Sequence, residues 1–299
     1  MLPAGCNRCA TPPGVLWSGK SGFPARKGNG MDLGIKGKTA MVCAASRGFG
    51  RAVALQLAAE GSRVAMCARG QADLEEAAAE VRHVAASAGS GPDAVLARSV
   101  DVTDAAAMEA FIAETEQSLG GPDMLLINAG GPPAGRIFEL DDAAWDAAYR
   151  LNLAAAASLC RRVAPGMAER GWGRIVQITS VSVRQPVENL VLSSVIRPAA
   201  HALIRCLAEE VATAGVTVNS VAPGFHTTSA VERLITRKIA DEGCTRADVL
   251  AGWTREIPLG RLGKPDELAA LVVFLMSEPA GYITGQLITA DGGWVRGTF

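Results

Sequence analysis

A run of small residues near position 45 has the composition of a phosphate-binding turn. Residues 39–44 are mostly apolar, residues 45–50 are mainly small, and residues 51–60 are rich in alanine. This order predicts a strand, a tight turn and a helix. Gly48 and Gly50 lack the Cβ atoms that would hold a ligand away, so backbone N–H groups at the helix's positive end can reach a phosphate. The sequence predicts a nucleotide pyrophosphate here, although an ordinary strand-to-helix turn has the same composition.

Strands and helices alternate along the chain and would place this turn at the edge of a sheet. The predicted strands are residues 39–44, 63–68, 94–102, 124–127, 174–179, 216–221 and 286–290, and the predicted helices are residues 51–60, 71–88, 103–120, 141–170, 194–213 and 264–277. Such alternation implies right-handed crossovers and a parallel sheet. The predicted fold class is α/β: a doubly wound, Rossmann-like parallel sheet of about seven strands with helices on both faces, in one domain over residues 31–299.

Ligands of such sheets bind beyond the carboxyl ends of the strands. The predicted crevice is therefore bordered by the turns that follow Ala44, Ala68, Val102, Ile127, Thr179 and Val221. An insertion at residues 225–256 follows the sixth strand, and its Ile235, Leu250 and Trp253 predict a partly apolar roof over the substrate.

The composition excludes a general electrostatic attraction to nucleic acid or anionic membranes. The chain has 299 residues, 49% of them hydrophobic, and a net charge of −1, with pI ≈ 6.3 and mean hydropathy +0.20. That length and hydrophobic fraction are ample for a buried core. Seven cysteines is an odd number, as expected of reduced thiols rather than a disulfide framework. The prediction is a soluble, cytoplasmic protein with no nucleic-acid or membrane partner.

The first thirty residues differ from the rest of the chain. Residues 1–30 are rich in Pro, Gly and Arg and lack the apolar stretch of a secretory signal, which predicts a disordered extension. Cys6 and Cys9 form a lone CxxC without further ligands, which favours chance spacing over a metal or redox site. Met31 runs straight into the first strand and is a candidate translation start.

Several motifs keep a common order and spacing over residues 35–293. Ala44 stands four residues before Gly48, and Gly50 lies two residues after Gly48. An Asn-Ala-Gly triplet at residues 128–130 follows the fourth predicted strand, and a Pro-Gly pair at residues 223–224 follows the sixth. On these residues the chain resembles the short-chain dehydrogenase/reductase family, and most of all its 3-oxoacyl-carrier-protein-reductase-like branch. Ala44 departs from the family's first glycine.

The resemblance implies functional roles for residues around the crevice. It implies cofactor contacts from Ala45, Ser46, Gly48, Phe49, Gly50, Asp101, Val102, Asn128, Ala129, Gly130, Arg197, Pro223, Gly224 and Thr228, and charge adds Arg47 and Arg69. It implies catalytic roles for Asn152, Ser180, Ser193 and Arg197. Ser180 and Asn152 also have ordinary structural interpretations, as a strand-ending residue and as a partner of helix backbone.

Charge around the predicted adenosine end favours NADP(H) over NAD(H). The second strand ends in Ala68 and Arg69, without the carboxylate that holds a ribose 2′-hydroxyl in NAD sites. Arg47 lies within the glycine turn, and two guanidinium groups can clamp a 2′-phosphate. The alternative is that both arginines are solvated surface residues.

The family's catalytic acid is missing. In the family, a tyrosine 13 residues after the catalytic serine supplies the proton. A lysine four residues later lowers the pKa of that tyrosine and holds the nicotinamide ribose. Counted from Ser180, those two positions are Ser193 and Arg197 in this chain. The two tyrosines, Tyr149 and Tyr282, match neither position. The chain thus resembles a divergent branch that lacks both residues, with arginine at the second position. Arginine does not donate its proton near neutral pH, so water relayed by hydroxyls, by His201 or by His226 is the remaining proton source, although a structural role for His201 is favoured.

Two functions follow from these residues. The first is an NADP(H)-dependent oxidoreductase that acts on a carbonyl or alcohol of a small-molecule or acyl substrate through an altered proton relay. The second is a catalytically silent nucleotide-binding protein that acts as a sensor or assembly partner. The resemblance also implies a homodimer or homotetramer, with helices 141–170 and 194–213 at the interface.

Overall fold

The computed structural model describes residues 31–298. Residues Leu33–Phe299 form one compact unit. The predictions for the N-terminal extension and for the Cys6 and Cys9 pair lie outside the described residues.

A seven-stranded sheet in the order β3-β2-β1-β4-β5-β6-β7 forms the centre of this unit. All six neighbouring pairs are parallel. The strands are β1 (Thr39–Cys43), β2 (Arg63–Ala68), β3 (Val95–Ser99), β4 (Met124–Ile127), β5 (Gly173–Ile178), β6 (Val216–Pro223) and β7 (Leu287–Ala290). The strand order reverses between β1 and β4, which opens a crevice at their carboxyl ends. The predicted fold class is confirmed.

Helices cover both faces of the sheet, and every residue of β1, β4, β5 and β6 is buried. One face packs on the helices of residues 48–59, 71–87 and 265–275, and the other on those of residues 105–119, 155–169 and 191–211. Full burial of one aliphatic side chain contributes about 1.5–3 kcal/mol, so these mostly apolar strands are stable between two helical layers. The helices are α1 (Gly48–Ala59), α2 (Gln71–Ser87), α3 (Ala105–Leu119), α4 (Asp142–Tyr149), α5 (Ala155–Glu169), α6 (Val191–Val211), α7 (Ser229–Glu242), α8 (Arg246–Glu256) and α9 (Pro265–Leu275).

Several predicted boundaries were wrong near the crevice. Helix α1 begins at Gly48 instead of residue 51, so the glycines lie in its first turn. Helix α6 begins at Val191 instead of residue 194, which places Ser193 in its first turn. The predicted 141–170 helix is divided by a π-helical turn at Arg150–Ala154. Strand β3 is shorter than predicted, because the chain turns again at Asp101.

The insertion after β6 is helical, and local capping explains why. Thr228 accepts a hydrogen bond from the backbone N–H of Val231 at the start of α7. Helix α7 ends at Gly243 with φ +64°, and Thr245 and Asp248 form a reciprocal capping box for α8. These Thr and Gly signals were present in the sequence.

One stretch of the described residues, Val191–Ala214, is long and apolar enough to cross a membrane by length and composition. It contains α6, which packs against β6 through buried Ala200, Ile204 and Ala208. Such helices also occur in the cores of soluble proteins. A third of its most apolar window is buried, which leaves an apolar face uncovered.

Candidate active site

The ends of β1 and β4 are joined by a side chain at the reversal point of the sheet. Nδ2 of Asn128, directly after β4, donates to the carbonyl oxygen of Cys43 over 3.3 Å. Asn128 therefore holds the start of the glycine turn in place. Ala129 is half-buried and Gly130 is exposed, so the backbone after Asn128 borders the crevice.

The residues of the glycine turn are small for different physical reasons. Gly48 has φ +57°, a conformation that strains other residues. At Gly50 an added Cβ would lie 2.3 Å from the carbonyl oxygen of Ala44, so the close approach of α1 to β1 requires glycine. Ala44 itself has φ +50°. An alanine in this region costs roughly 1–2 kcal/mol.

The first turns of three helices meet at a cavity beside the glycine turn. The cavity has a volume of about 320 Å³ and is lined by Gly48 of α1, Ser229 of α7 and Pro265 of α9, together with Arg47, Arg51 and Thr228. Helix N-termini present unsatisfied N–H groups and partial positive charge to an anion. The described residues therefore fit a pyrophosphate here. The predicted contacts Gly48, Arg47 and Thr228 lie together at this cavity.

The two arginines predicted to hold a 2′-phosphate each contact a carboxylate. Arg47 pairs with Asp73, and Arg69 Nη1 lies 3.9 Å from Asp101 Oδ2. All four side chains are substantially exposed, and exposed ion pairs contribute about 0–1 kcal/mol. A phosphate dianion is a stronger partner for a guanidinium and can displace these pairs.

Asp101 shapes the turn that follows β3. Its Oδ1 accepts hydrogen bonds from the backbone N–H and the hydroxyl of Thr103, over 2.9 and 2.8 Å. The backbone hydrogen bond is the main cause that lowers the pKa of Asp101, and the Thr103 hydroxyl and Arg69 add to it. The anionic Asp101 thus presents the half-buried Val102 at the crevice edge.

A chain of serines lies at the carboxyl end of β5. Ser180 Oγ accepts from the backbone N–H of Ser182 over 3.2 Å, and the Oγ atoms of Ser182 and Ser193 are 2.9 Å apart in a buried hydrogen bond. Sequence reasoning missed Ser182. Its signal was weak: a second small polar residue two positions after Ser180, in the turn that follows a buried strand.

Arg197 lies one helical turn beyond Ser193 on α6 and is 8% exposed. Its Nη1 donates to the carbonyl oxygen of Ile178 over 3.0 Å, at the end of β5. Burial lowers the pKa of its guanidinium to about 10, so the group stays positively charged at neutral pH. The structure therefore places a buried cation beside the serines.

Asn152 lies in the π-helical turn, a feature common at functional sites. Its Nδ2 donates to the carbonyl oxygen of Ala148 over 3.2 Å. Its Oδ1 is buried and has no hydrogen-bond partner among the described residues. An orphaned buried acceptor of this kind is free to receive a proton donor, such as a water molecule or a ligand hydroxyl.

Neither tyrosine is buried with these groups. Tyr149 is 50% exposed at the end of α4, and Tyr282 is fully exposed. His201 Nδ1 hydrogen-bonds with Ser220 Oγ over 3.0 Å. His226 Nδ1 donates to Gly224 O over 3.1 Å, and its ring packs edge-on against Phe49. Burial is the main cause that lowers the pKa of both histidines, so their rings are neutral at pH 7.

The segment after β6 packs closely on the sheet. A Cβ at Gly224 would lie 2.7 Å from Asp291 Cβ, so only glycine fits after Pro223. In the insertion, Ile235 packs with Val231 and Val249, and Phe225 stacks on Trp253 at a ring distance of 4.2 Å. Ile235, predicted as part of a substrate roof, instead belongs to the core of the insertion.

Arginine contacts hold this insertion against the loop after β4. Arg237 of α7 donates to the carbonyl oxygen of Ala134 over 2.7 Å and lies 3.8 Å from Glu139. The loop in turn pairs with the start of α6, where Gly135 N donates to Asn189 O over 2.6 Å. These contacts close the outer side of the crevice.

A separate cavity of about 270 Å³ lies between α3 and α5, and Val102 is the predicted site residue that lines it.

Comparison with known proteins assigns this arrangement to a family. The family model described as Enoyl-(Acyl carrier protein) reductase matches residues 43–295. Nodulation protein G of Azospirillum brasilense is 36% identical over 256 residues, which is 86% of this chain and 97% of that protein. The 3-oxoacyl-[acyl-carrier-protein] reductase of Escherichia coli is 33% identical over 261 residues, or 87% of this chain and 98% of that protein.

The fold also matches a solved complex. The crystal structure of L-sorbose reductase from Gluconobacter frateurii, complexed with NADPH and L-sorbose, aligns with a TM-score of 0.82 and 32% identity, over 89% of this chain and all of that one. The likeness thus extends over nearly the whole described sheet and its helices.

Proposed function

Because the chain belongs to the short-chain dehydrogenase/reductase family, we propose that it is an NADP(H)-dependent oxidoreductase that interconverts a carbonyl and an alcohol, with a 3-oxoacyl-reductase-like substrate. The observation that carries this proposal is the cavity beside the glycine turn, where the first turns of α1, α7 and α9 converge. The N-termini of α1 and α7 present backbone N–H groups that suit a pyrophosphate, whereas α9 begins with Pro265, which has no N–H, and its Asp266 also lines the cavity. The NADPH named in the solved sorbose reductase complex supports the same cofactor.

Selection of NADP(H) over NAD(H) rests on the cations near the adenosine end. Arg47 and Arg69 flank this region, and β2 ends without a carboxylate that would repel a 2′-phosphate. On binding, the phosphate takes the place of Asp73 and Asp101 as guanidinium partner. Phosphate contacts from two arginines are charge-assisted and roughly twice as strong as neutral hydrogen bonds.

A nicotinamide cofactor held by these residues would supply the hydride for the carbonyl carbon and would leave as its oxidised form. Ser180 Oγ accepts from Ser182 N, which leaves its own O–H free to donate to the carbonyl oxygen. The Ser182 and Ser193 hydroxyls then relay a proton from water to that oxygen, in place of the family's tyrosine. Arg197 adds a fixed positive charge, and the orphaned Oδ1 of Asn152 accepts a hydrogen bond from the relayed water. The carbonyl carbon gains a hydride and its oxygen gains a proton, which balances the reduction to an alcohol.

The proposal is tested by cofactor titration and turnover on the purified chain. We expect NADPH to bind more tightly than NADH and to be oxidised by at least one member of a carbonyl panel that includes 3-oxoacyl thioesters. Ser180→Ala should lower kcat by about 10²-fold, the lower range of general acid and oxyanion contributions, while the dissociation constant of NADPH stays unchanged. Tighter NADH binding refutes the cofactor preference. NADPH binding without turnover favours the silent nucleotide-binding alternative.

The exposed face of α6 supports a homodimer or homotetramer, and we propose that this assembly is soluble and cytoplasmic. Val195, Ala199, Ala202 and Cys206 are exposed and lie on one side of the helix. We expect alkylation of Cys206, followed by peptide mass spectrometry, to be slow at micromolar protein and faster on dilution. Light scattering that shows a monomer at micromolar concentration contradicts the proposed interface.

A further inference from the structure

Arg197 carries a positive charge that no acidic group among the described residues neutralises. Its Nη1 donates to the carbonyl oxygen of Ile178, and no carboxylate forms an ion pair with it within residues 31–298. The other guanidinium nitrogens have no hydrogen-bond partner in this part of the chain. A guanidinium has five N–H donors, so most of its capacity is unused.

The hydroxyl and amide side chains assigned to the site at the carboxyl end of β5 are neutral, and Arg184, which follows this turn, is a cation. Ser180, Ser182 and Ser193 are hydroxyls bonded to one another or to backbone, and Asn152 presents an orphaned oxygen. Burial of an unpaired charge costs several kcal/mol, and an anion at the guanidinium offsets that cost. The exposed Arg205, on the same helix, pairs with Glu209 instead and needs no such ligand.

We propose that Arg197 binds the carboxylate of the substrate, so that the substrate is a short oxo acid and its product the matching hydroxy acid. This inference rests on the proposed oxidoreductase function and names its substrate class. The guanidinium fork suits bidentate carboxylate contacts.

The position of the guanidinium also limits the length of the acid. It contacts Ile178 O, and Ser180, which faces the reacting carbonyl, is two residues further on, a span of about 7 Å of extended chain. A carboxylate at the guanidinium and a carbonyl at Ser180 therefore fit within one small molecule, which favours short oxo acids such as acetoacetate.

The experiment compares one acid with its neutral ester. Acetoacetate and methyl acetoacetate are reduced with NADPH by the wild-type chain, Arg197→Gln, Arg197→Lys and the control Arg205→Gln. A charged hydrogen bond is lost in Arg197→Gln, so kcat/KM should fall about 10-fold to 150-fold further for acetoacetate than for the ester, whose own fall measures the loss of the fixed positive charge. Arg197→Lys should recover part of the loss, and Arg205→Gln should match wild type.

Binding provides a second readout that does not require turnover. Acetoacetate should raise the melting temperature of the NADPH-loaded wild-type protein, and the ester should not. Arg197→Gln should abolish the effect of the acid. If the glutamine variant fails to fold, Arg197→Lys replaces it and should show a smaller rise in melting temperature than wild type.

The inference is overturned if acid and ester are equally good wild-type substrates, or if Arg197→Gln lowers both equally by weakening NADPH, as a ribose-binding role requires. Lack of NADPH binding or of any turnover counts against the proposed function, and the same thermal shift, measured with acetoacetate and without NADPH, then still decides the role of Arg197.

Discussion

Substitution of Gly50 by alanine tests whether backbone packing, as well as ligand contact, shapes the glycine turn. The new Cβ would lie 2.3 Å from Ala44 O, 2.9 Å from Ala44 C and 3.0 Å from Ala45 Cα. All three atoms are backbone, so no side chain can rotate away. The first contact is about 1 Å or more too short, which forces α1 away from β1. Overpacking of this kind costs about 1–3 kcal/mol.

Urea denaturation measures this change, with NADPH titration as the second assay. We expect Gly50→Ala to lower the free energy of unfolding by about 1–3 kcal/mol and NADPH affinity by about tenfold, the equivalent of 1.4 kcal/mol. Gly91 is the matched control, because a Cβ there meets nothing within 4 Å and its φ is −70°. Ala44→Gly should stabilise slightly, since strain relief of roughly 1–2 kcal/mol exceeds the added chain entropy. A Gly50→Ala protein within about 0.5 kcal/mol of wild type refutes the packing explanation.

Three further predictions follow from contacts around the crevice. Asp73→Asn frees Arg47 from its carboxylate and should tighten NADPH binding about 2-fold to 5-fold without changing NADH binding, within the range of one exposed ion pair; equal effects on both cofactors would contradict a role at the 2′-phosphate. Arg237→Ala removes the contact with Ala134 O, so KM should rise with little change in kcat, whereas an unchanged KM in steady-state assays would argue against closure of the crevice by α7. Burial lowers the folded pKa of His201 below its unfolded value near 6.5, so the folded protein resists protonation: stability from this group is present above about pH 6.5 and is lost as the pH falls. Melting temperatures measured from pH 7 to pH 5 should therefore fall less steeply for His201→Asn than for wild type, and parallel slopes would disprove the assignment.

Local signals identified most of the fold but less of the chemistry. Apolar runs such as residues 124–127 predicted buried strands, and the structure has β4 at those residues. The π-helical turn around Asn152 was not predicted, because a helix with one extra residue per turn has the same apolar periodicity over a few residues as an ordinary helix. The insertion was left without elements, although Thr228 and Thr245 carry capping signals; its separate core around Ile235 depends on contacts between α7 and α8.

The sequence by itself determined the layered α/β architecture and the position of the glycine turn, and the family resemblance implies that Ser193 and Arg197 stand where the family has its tyrosine and lysine. Composition and local periodicity are enough for the first two, since each depends on neighbouring residues. Only the tertiary structure decided how the side chains pair. Ser193 meets Ser182 across 11 positions, and Arg47 meets Asp73 across 26. Such pairs depend on strand order and helix packing, which bring together groups that no local pattern connects. The absence of a carboxylate partner for Arg197 among residues 31–298 is likewise a property of the assembled fold.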